Sequence, residues 1–139
     1  MLDTINQTFD LTQPQAEILG PLKLAYVGDA VYEIIIRTIV FGEGEFSVKK
    51  MNRAAKDLVN ATTQAKLAKQ MLPELTEEET TVFKRGRNTK SNSASKHSDI
   101  QDYRVATGLE SLFGYWYFSG SMDRATKLLK NALKKENLI

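Results

Sequence analysis

Residues 24–37 read LAYVGDAVYEIIIR, and how this run is read decides the fold. Leu22 precedes it and Ile39 and Val40 follow, so apolar side chains fill almost every direction around one long helix. A helix apolar nearly all round is expected to be buried on most sides, in a core and against a partner. Two residues resist that setting. Gly28 costs about 1 kcal/mol relative to alanine in a helix interior. Asp29 brings a carboxylate whose burial costs several kcal/mol unless it finds a cation or changes its protonation. Glu33 follows one turn later on nearly the same face, where like charges repel unless a cation lies between them.

Outward from this helix, almost every periodic signal is helical. A short segment over about 3–9 comes first, and a Pro14-containing stretch that can open a helical turn follows it. Pro21 suits the first turn of the apolar helix, which runs to about Phe41 and is broken by Gly42 and Gly44. Ser47 caps a helix with Met51, Ala54, Ala55, Leu58 and Val59 on one face. Another, carrying Ala65, Leu67, Ala68 and Met71, ends before Pro73. Thr76 and Glu79 form a capping box ahead of Val82 and Phe83. The polar stretch 86–98 reads as an exposed, mobile loop, and Ser98 with Gln101 as the cap of a helix running through 118. A turn at 119–121 precedes a basic amphipathic helix from Met122 to Lys135. With no repeat, linker or strand pair, the expectation is all-α: one helical-bundle domain spanning 1–139.

The chain of 139 residues is 42% hydrophobic and 26% charged, ordinary for a globular domain. It has no cysteine and one histidine, His97, which excludes disulfides, thiolate metal sites and His-rich sites. Chemistry must rest on carboxylates, hydroxyls and bound ions. No charged leader precedes an apolar segment, and Asp29, Glu33 and Arg37 interrupt the longest apolar run. A cytoplasmic protein without a membrane partner is expected.

The net charge of +2 hides a segregation. Lys49, Lys50, Arg53, Lys56, Lys66 and Lys69 face a single acid, Asp57, between 47 and 70. Lys84, Arg85, Arg87, Lys90 and Lys96 face none between 84 and 98. Such basic stretches are the footprint of a polyanion, although solvated helix faces give the same pattern. Glu110, in VATGLESLFGYWYF (105–118), repeats the anomaly of Asp29: an acid near a glycine, Gly108, in an apolar helix. The two acids can meet across a helix pair and hold Mg²⁺ or Mn²⁺ through hard oxygens. Equally, each can pair with Arg37, Arg104 or a helix N-terminus.

LAYVGDAVYE (24–33) resembles the signature helix of the ribonuclease III family, and ATGLESLFGYWY (106–117) resembles its second catalytic helix. EGEFSVKKMNRAAKDLVN (43–60) sits where the family has a glutamate-glycine segment and a helix. With FKRGRN (83–88) and DYRVATGLESLFGYWY (102–117), the set is similar to the short Mini-III branch, which lacks a double-stranded-RNA-binding domain. The resemblance implies that Asp29 and Glu110 are catalytic metal ligands and that Glu43 supports the metal from the intervening loop. Leu22, Ala25 and Thr107 depart from it, standing where larger members carry acids. It further implies a homodimeric, Mg²⁺-dependent endoribonuclease, with Mn²⁺ as a substitute, that cuts double-stranded RNA to leave 5′-phosphates. The implied task is trimming the ends of large-subunit (23S) ribosomal RNA precursor. Lys49, Lys50, Arg53, Lys56, Arg85, Arg87, Asn88, Lys90 and Lys96 are the expected RNA contacts. The rivals are a non-catalytic RNA-binding protein of the same fold and a helical adaptor whose 84–98 segment docks an acidic protein.

Overall fold

The structure, a computed structural model, describes residues 1–44, 47–89 and 99–139. Among these it contains seven α-helices and no strand: α1 (Leu2–Thr8), α2 (Pro21–Gly42), α3 (Val48–Val59), α4 (Ala61–Met71), α5 (Glu77–Arg87), α6 (Ile100–Phe118) and α7 (Met122–Lys135). The all-α expectation holds.

Local chemistry starts most of these helices. Ser47 accepts from the Lys50 N–H at 3.2 Å, and Asn60 accepts from the Thr63 N–H at 2.9 Å. The Thr76–Glu79 capping box closes in both directions, at 3.2 and 2.8 Å. At α6 the observed cap is Asp99, whose side chain accepts from the Gln101 N–H at 3.0 Å. The cap expected at Ser98 lies outside the described residues. Gly120, at φ +74°, takes the left-handed conformation that ends α6 and lets α7 fold back.

α2 and α6 make the most extensive helix pair, with α5 and α4 packed on α6. Tyr32, Ile36, Leu109, Phe113 and Trp116 are fully buried at the centre. Tyr32 and Phe113, and Phe113 and Trp116, meet edge-on at 5.3 Å between ring centres. α2 is not buried on most sides, however. Leu24, Val31, Tyr32, Ile36 and Val40 face the core, while Leu22, Tyr26, Ile34 and Phe41 are exposed, Tyr26 at 83%.

Gly86 corrects the reading of 86–98 as loop from its first residue. It is buried in the last turn of α5, and a Cβ there would lie 3.0 Å from the Gly108 Cα. The glycine serves a close crossing of α5 and α6 instead of breaking the helix. Arg85 and Arg87 therefore stand on a helix end.

Candidate functional site

The site forms where α2 crosses α6. A Cβ on Gly28 would come within 1.6 Å of the Glu110 carbonyl oxygen, and one on Gly114 within 2.1 Å of the Leu24 carbonyl oxygen. Both glycines are there because two helix backbones touch. That contact sets the next residue of α2, Asp29, beside Glu110 of α6.

The two carboxylates lie within hydrogen-bonding reach of each other. Asp29 is exposed, contrary to the burial read from its apolar neighbours, because it sits at the rim of the crossing. Glu110 is half-buried. Burial, then the hydrogen bond and like charge of Asp29, push its carboxyl up to about 8, with the amide of Gln64 pulling the other way. Its charge and, more strongly, burial also raise the Tyr32 phenol above its usual range. The Tyr32 hydroxyl donates to the Leu58 carbonyl, tying the end of α3 to α2 below the acids.

Gln64 was not anticipated. It lies in the first turn of α4, is 3% exposed, and donates through Nε2 to the Val59 carbonyl at 3.0 Å. Its Oε1 is buried without a hydrogen-bond partner. NATTQAKLAK (60–69) reads as an ordinary solvated helix start, and only an acid on another helix gives its glutamine a role.

The other sequence candidates are distributed around this pair. Glu33 pairs with Arg37 on its own helix at 2.7 Å, so Arg37 is not the counter-ion of Asp29. Glu43 is exposed at the far end of α2, beside an apolar cavity of about 560 Å³ between α2 and α7. Fourteen residues of helix separate it from Asp29, about 21 Å. One chain does not bring Glu43 to the two acids. Thr107, one of the departures from the resemblance, turns its hydroxyl to the Tyr103 carbonyl at 3.0 Å. Among the described residues no group of three or more Asp, Glu, His or Cys converges on a metal position.

Lys49, Lys50, Arg53 and Lys56 are exposed on α3, and none of them forms an ion pair among the described residues. Arg87 stacks over Phe83 at 5.9 Å and donates to Asn88 at 3.2 Å. Arg85 and Asn88 are exposed. Lys90, Lys96 and His97 lie outside the described residues.

Two carboxylates and an unpartnered amide oxygen, with no sulfur or imidazole, are hard donors suited to Mg²⁺ or Mn²⁺. A model of the ribonuclease III domain matches residues 22–121, which includes the whole crossing. The chain belongs to the ribonuclease III family. It is thus an endoribonuclease, of a family that acts on double-stranded RNA. It is 42% identical to a Mini-ribonuclease 3 of Clostridium tetani, covering 87% of this chain and 81% of that one. It is 44% identical to another of Enterococcus faecalis, covering 84% and 90%. A crystal structure of a Fusobacterium nucleatum protein superimposes with a TM-score of 0.77 at 28% identity, covering 86% of this chain and 95% of that one. No helix among the described residues is long and apolar enough to cross a membrane.

Proposed function

We propose that this chain is a Mg²⁺-dependent endonuclease for double-stranded RNA, with Asp29 and Glu110 holding the cation and Mn²⁺ able to replace it. The observation that carries this is the approach of those two carboxylates across a backbone-to-backbone crossing, in a chain of the ribonuclease III family. Two like charges held together repel, and a bound divalent cation reverses the sign of that interaction. When bound, such a cation stabilises charge on a phosphodiester and makes its water a stronger nucleophile.

The chain's own residues do the rest. Asp29, at the exposed rim, is open to a phosphate backbone, while Glu110 is fixed by burial and by the rigid crossing. Lys49, Lys50, Arg53 and Lys56 on α3, with Arg85, Arg87 and Asn88 at the end of α5, supply phosphate contacts suited to a duplex read by shape. Lys90 and Lys96 belong to the same proposed set by sequence. Hydrolysis leaves a 5′-phosphate and a 3′-hydroxyl. The proposed substrate is a base-paired stem at the ends of a large-subunit ribosomal RNA precursor, and the proposed compartment the cytoplasm.

Cutting both strands takes two sites, and a homodimer supplies them. Leu22, Tyr26, Ile34 and Phe41 make α2 an apolar outer face that favours pairing with a second copy.

End-labelled duplex RNA incubated with Mg²⁺ or with EDTA, alongside Asp29→Asn, tests the reading. Mg²⁺-dependent cuts on both strands that vanish in the variant are the expected result. RNA binding without scission, indifferent to EDTA and to the variant, would instead identify a binding protein of the same fold. Sedimentation velocity tests the dimer.

A further inference from the structure

Gln64 is the buried polar residue nearest the two acids that folding alone does not explain. An amide side chain has two N–H donors and one oxygen, and a fully buried one ordinarily satisfies both ends. Here the nitrogen end is accounted for. Nε2 donates to the Val59 carbonyl at 3.0 Å, and the amide lies close enough to the Glu110 carboxyl to favour its charged form. Both of those neighbours are acceptors, so the nitrogen is the end that serves them. Oε1 is left buried and unpartnered, the one such side-chain atom found among the described residues. A leucine would pack in this position without an orphaned acceptor, so the site keeps a polar atom that costs stability.

Resting on the cation-binding reading above, we infer that Gln64 is a positioning residue of the metal site. Its nitrogen fixes the orientation of Glu110, and its free oxygen serves as a neutral donor to the hydrated cation held by Asp29 and Glu110. The charge balance favours this arrangement. Two carboxylates already neutralise a divalent ion, and no third acid converges on the site among the described residues. A hydrated Mg²⁺ bound by one or two carboxylates still needs acceptors for its waters. An uncharged oxygen meets that need without adding a third negative charge to a half-buried pocket. Helix geometry supports the role as well. Gln64 lies in the first turn of α4, whose cap, Asn60, holds that turn in place through the Thr63 N–H at 2.9 Å.

The test measures Mn²⁺ binding to the full chain without RNA, by counting free Mn²⁺ by electron paramagnetic resonance, for the parent, Gln64→Met and Gln64→Glu. Circular dichroism checks the fold of each. Gln64→Met keeps the length of the side chain and removes both polar ends. It is expected to weaken Mn²⁺ binding at least about tenfold, and to raise the Mg²⁺ concentration needed for half-maximal cleavage by a similar factor. Gln64→Glu adds a charged oxygen in the same place and is expected to bind Mn²⁺ more tightly than the parent. A folded Gln64→Met with parental Mn²⁺ affinity overturns the inference while leaving the cation-binding reading intact. If Gln64→Met does not fold, Gln64→Glu decides the matter, and unchanged affinity there overturns it too. A parent chain that cleaves duplex RNA in EDTA and takes up no Mn²⁺ overturns both readings together.

Discussion

The carbonyl oxygen of Glu110 fills the space where a side chain on Gly28 would begin, 1.6 Å from the position of its Cβ. The residue whose backbone crosses Gly28 is thus the one whose carboxylate meets Asp29. Gly28→Ala must push α2 and α6 apart, because the obstructing atom is backbone and cannot swing away. The variant should lose about 3 kcal/mol of stability and cleave duplex RNA poorly even in the fraction that stays folded. Gly42→Ala is the control. Nothing lies within 4 Å of a Cβ there, and at the last residue of α2 the change should be neutral or stabilise by up to about 1 kcal/mol. Urea unfolding of the two variants separates these outcomes, and equal losses would refute the crossing.

The candidate pair Asp29 and Glu110 stands out in the sequence because an acid close to a glycine in an apolar helix needs a reason. What the glycine touches was not legible, since it belongs to a second helix distant in the chain. The burial expected of Asp29 was wrong for a related reason: periodicity reports how apolar a helix is, while the neighbours decide which flank stays open. Gly86 shows the same limit. Glycine signals a break by propensity, yet here it admits Gly108 of α6 and the helix continues to Arg87. Gln64 carried no signal at all. The caps at Ser47 and Thr76 were readable because a cap and its partner stand within three residues of each other.

Glu110→Gln should separate stability from activity. In the parent without divalent ions, a half-buried carboxylate faces Asp29, and the conflict costs folding free energy. A glutamine at 110 can donate to Asp29 and accept from Gln64, so the variant should unfold at no lower urea concentration than the parent. Cleavage with saturating Mg²⁺ should nonetheless fall about a thousandfold or more, the equivalent of several kcal/mol of lost charge stabilisation. A variant that is both less stable and still active would show that Glu110 is a packing residue.

The α3 cations predict a salt dependence. Lys49, Lys50, Arg53 and Lys56 have no carboxylate partners among the described residues, so their charge is available to phosphates. Replacing Arg53 with alanine should weaken binding of a catalytically inactive chain to duplex RNA by a similar factor for unrelated sequences. It should also reduce the slope of log affinity against log salt by about one. Arg37→Ala is the contrast, because its guanidinium is already paired with Glu33. Filter binding between low and moderate salt gives both slopes, and identical slopes for the parent and the Arg53 variant would remove α3 from the RNA surface.

A separate prediction concerns acid stability at the corner of α5, α6 and α7. Glu79 has a side chain only 5% exposed and receives Arg124 Nε at 2.6 Å, Arg124 Nη2 at 2.7 Å and the Trp116 indole N–H at 2.7 Å. Burial alone would raise its carboxyl. The Arg124, Thr76 and Trp116 donors outweigh that and bring it from the ordinary 4.5 down to about 2. A carboxyl lowered on folding contributes its stability above its unfolded value and loses it as pH falls toward the folded one. The window is therefore about pH 4.5 down to about 2, and the contribution at neutral pH is on the order of 3 kcal/mol. Glu79→Gln keeps the shape and removes the charge. Unfolding free energies measured at several pH values should show it less stable than the parent at pH 7, with the gap closing steadily between pH 4.5 and 2. Parallel curves across that window would mean that the ion pair adds nothing beyond a neutral hydrogen-bond network.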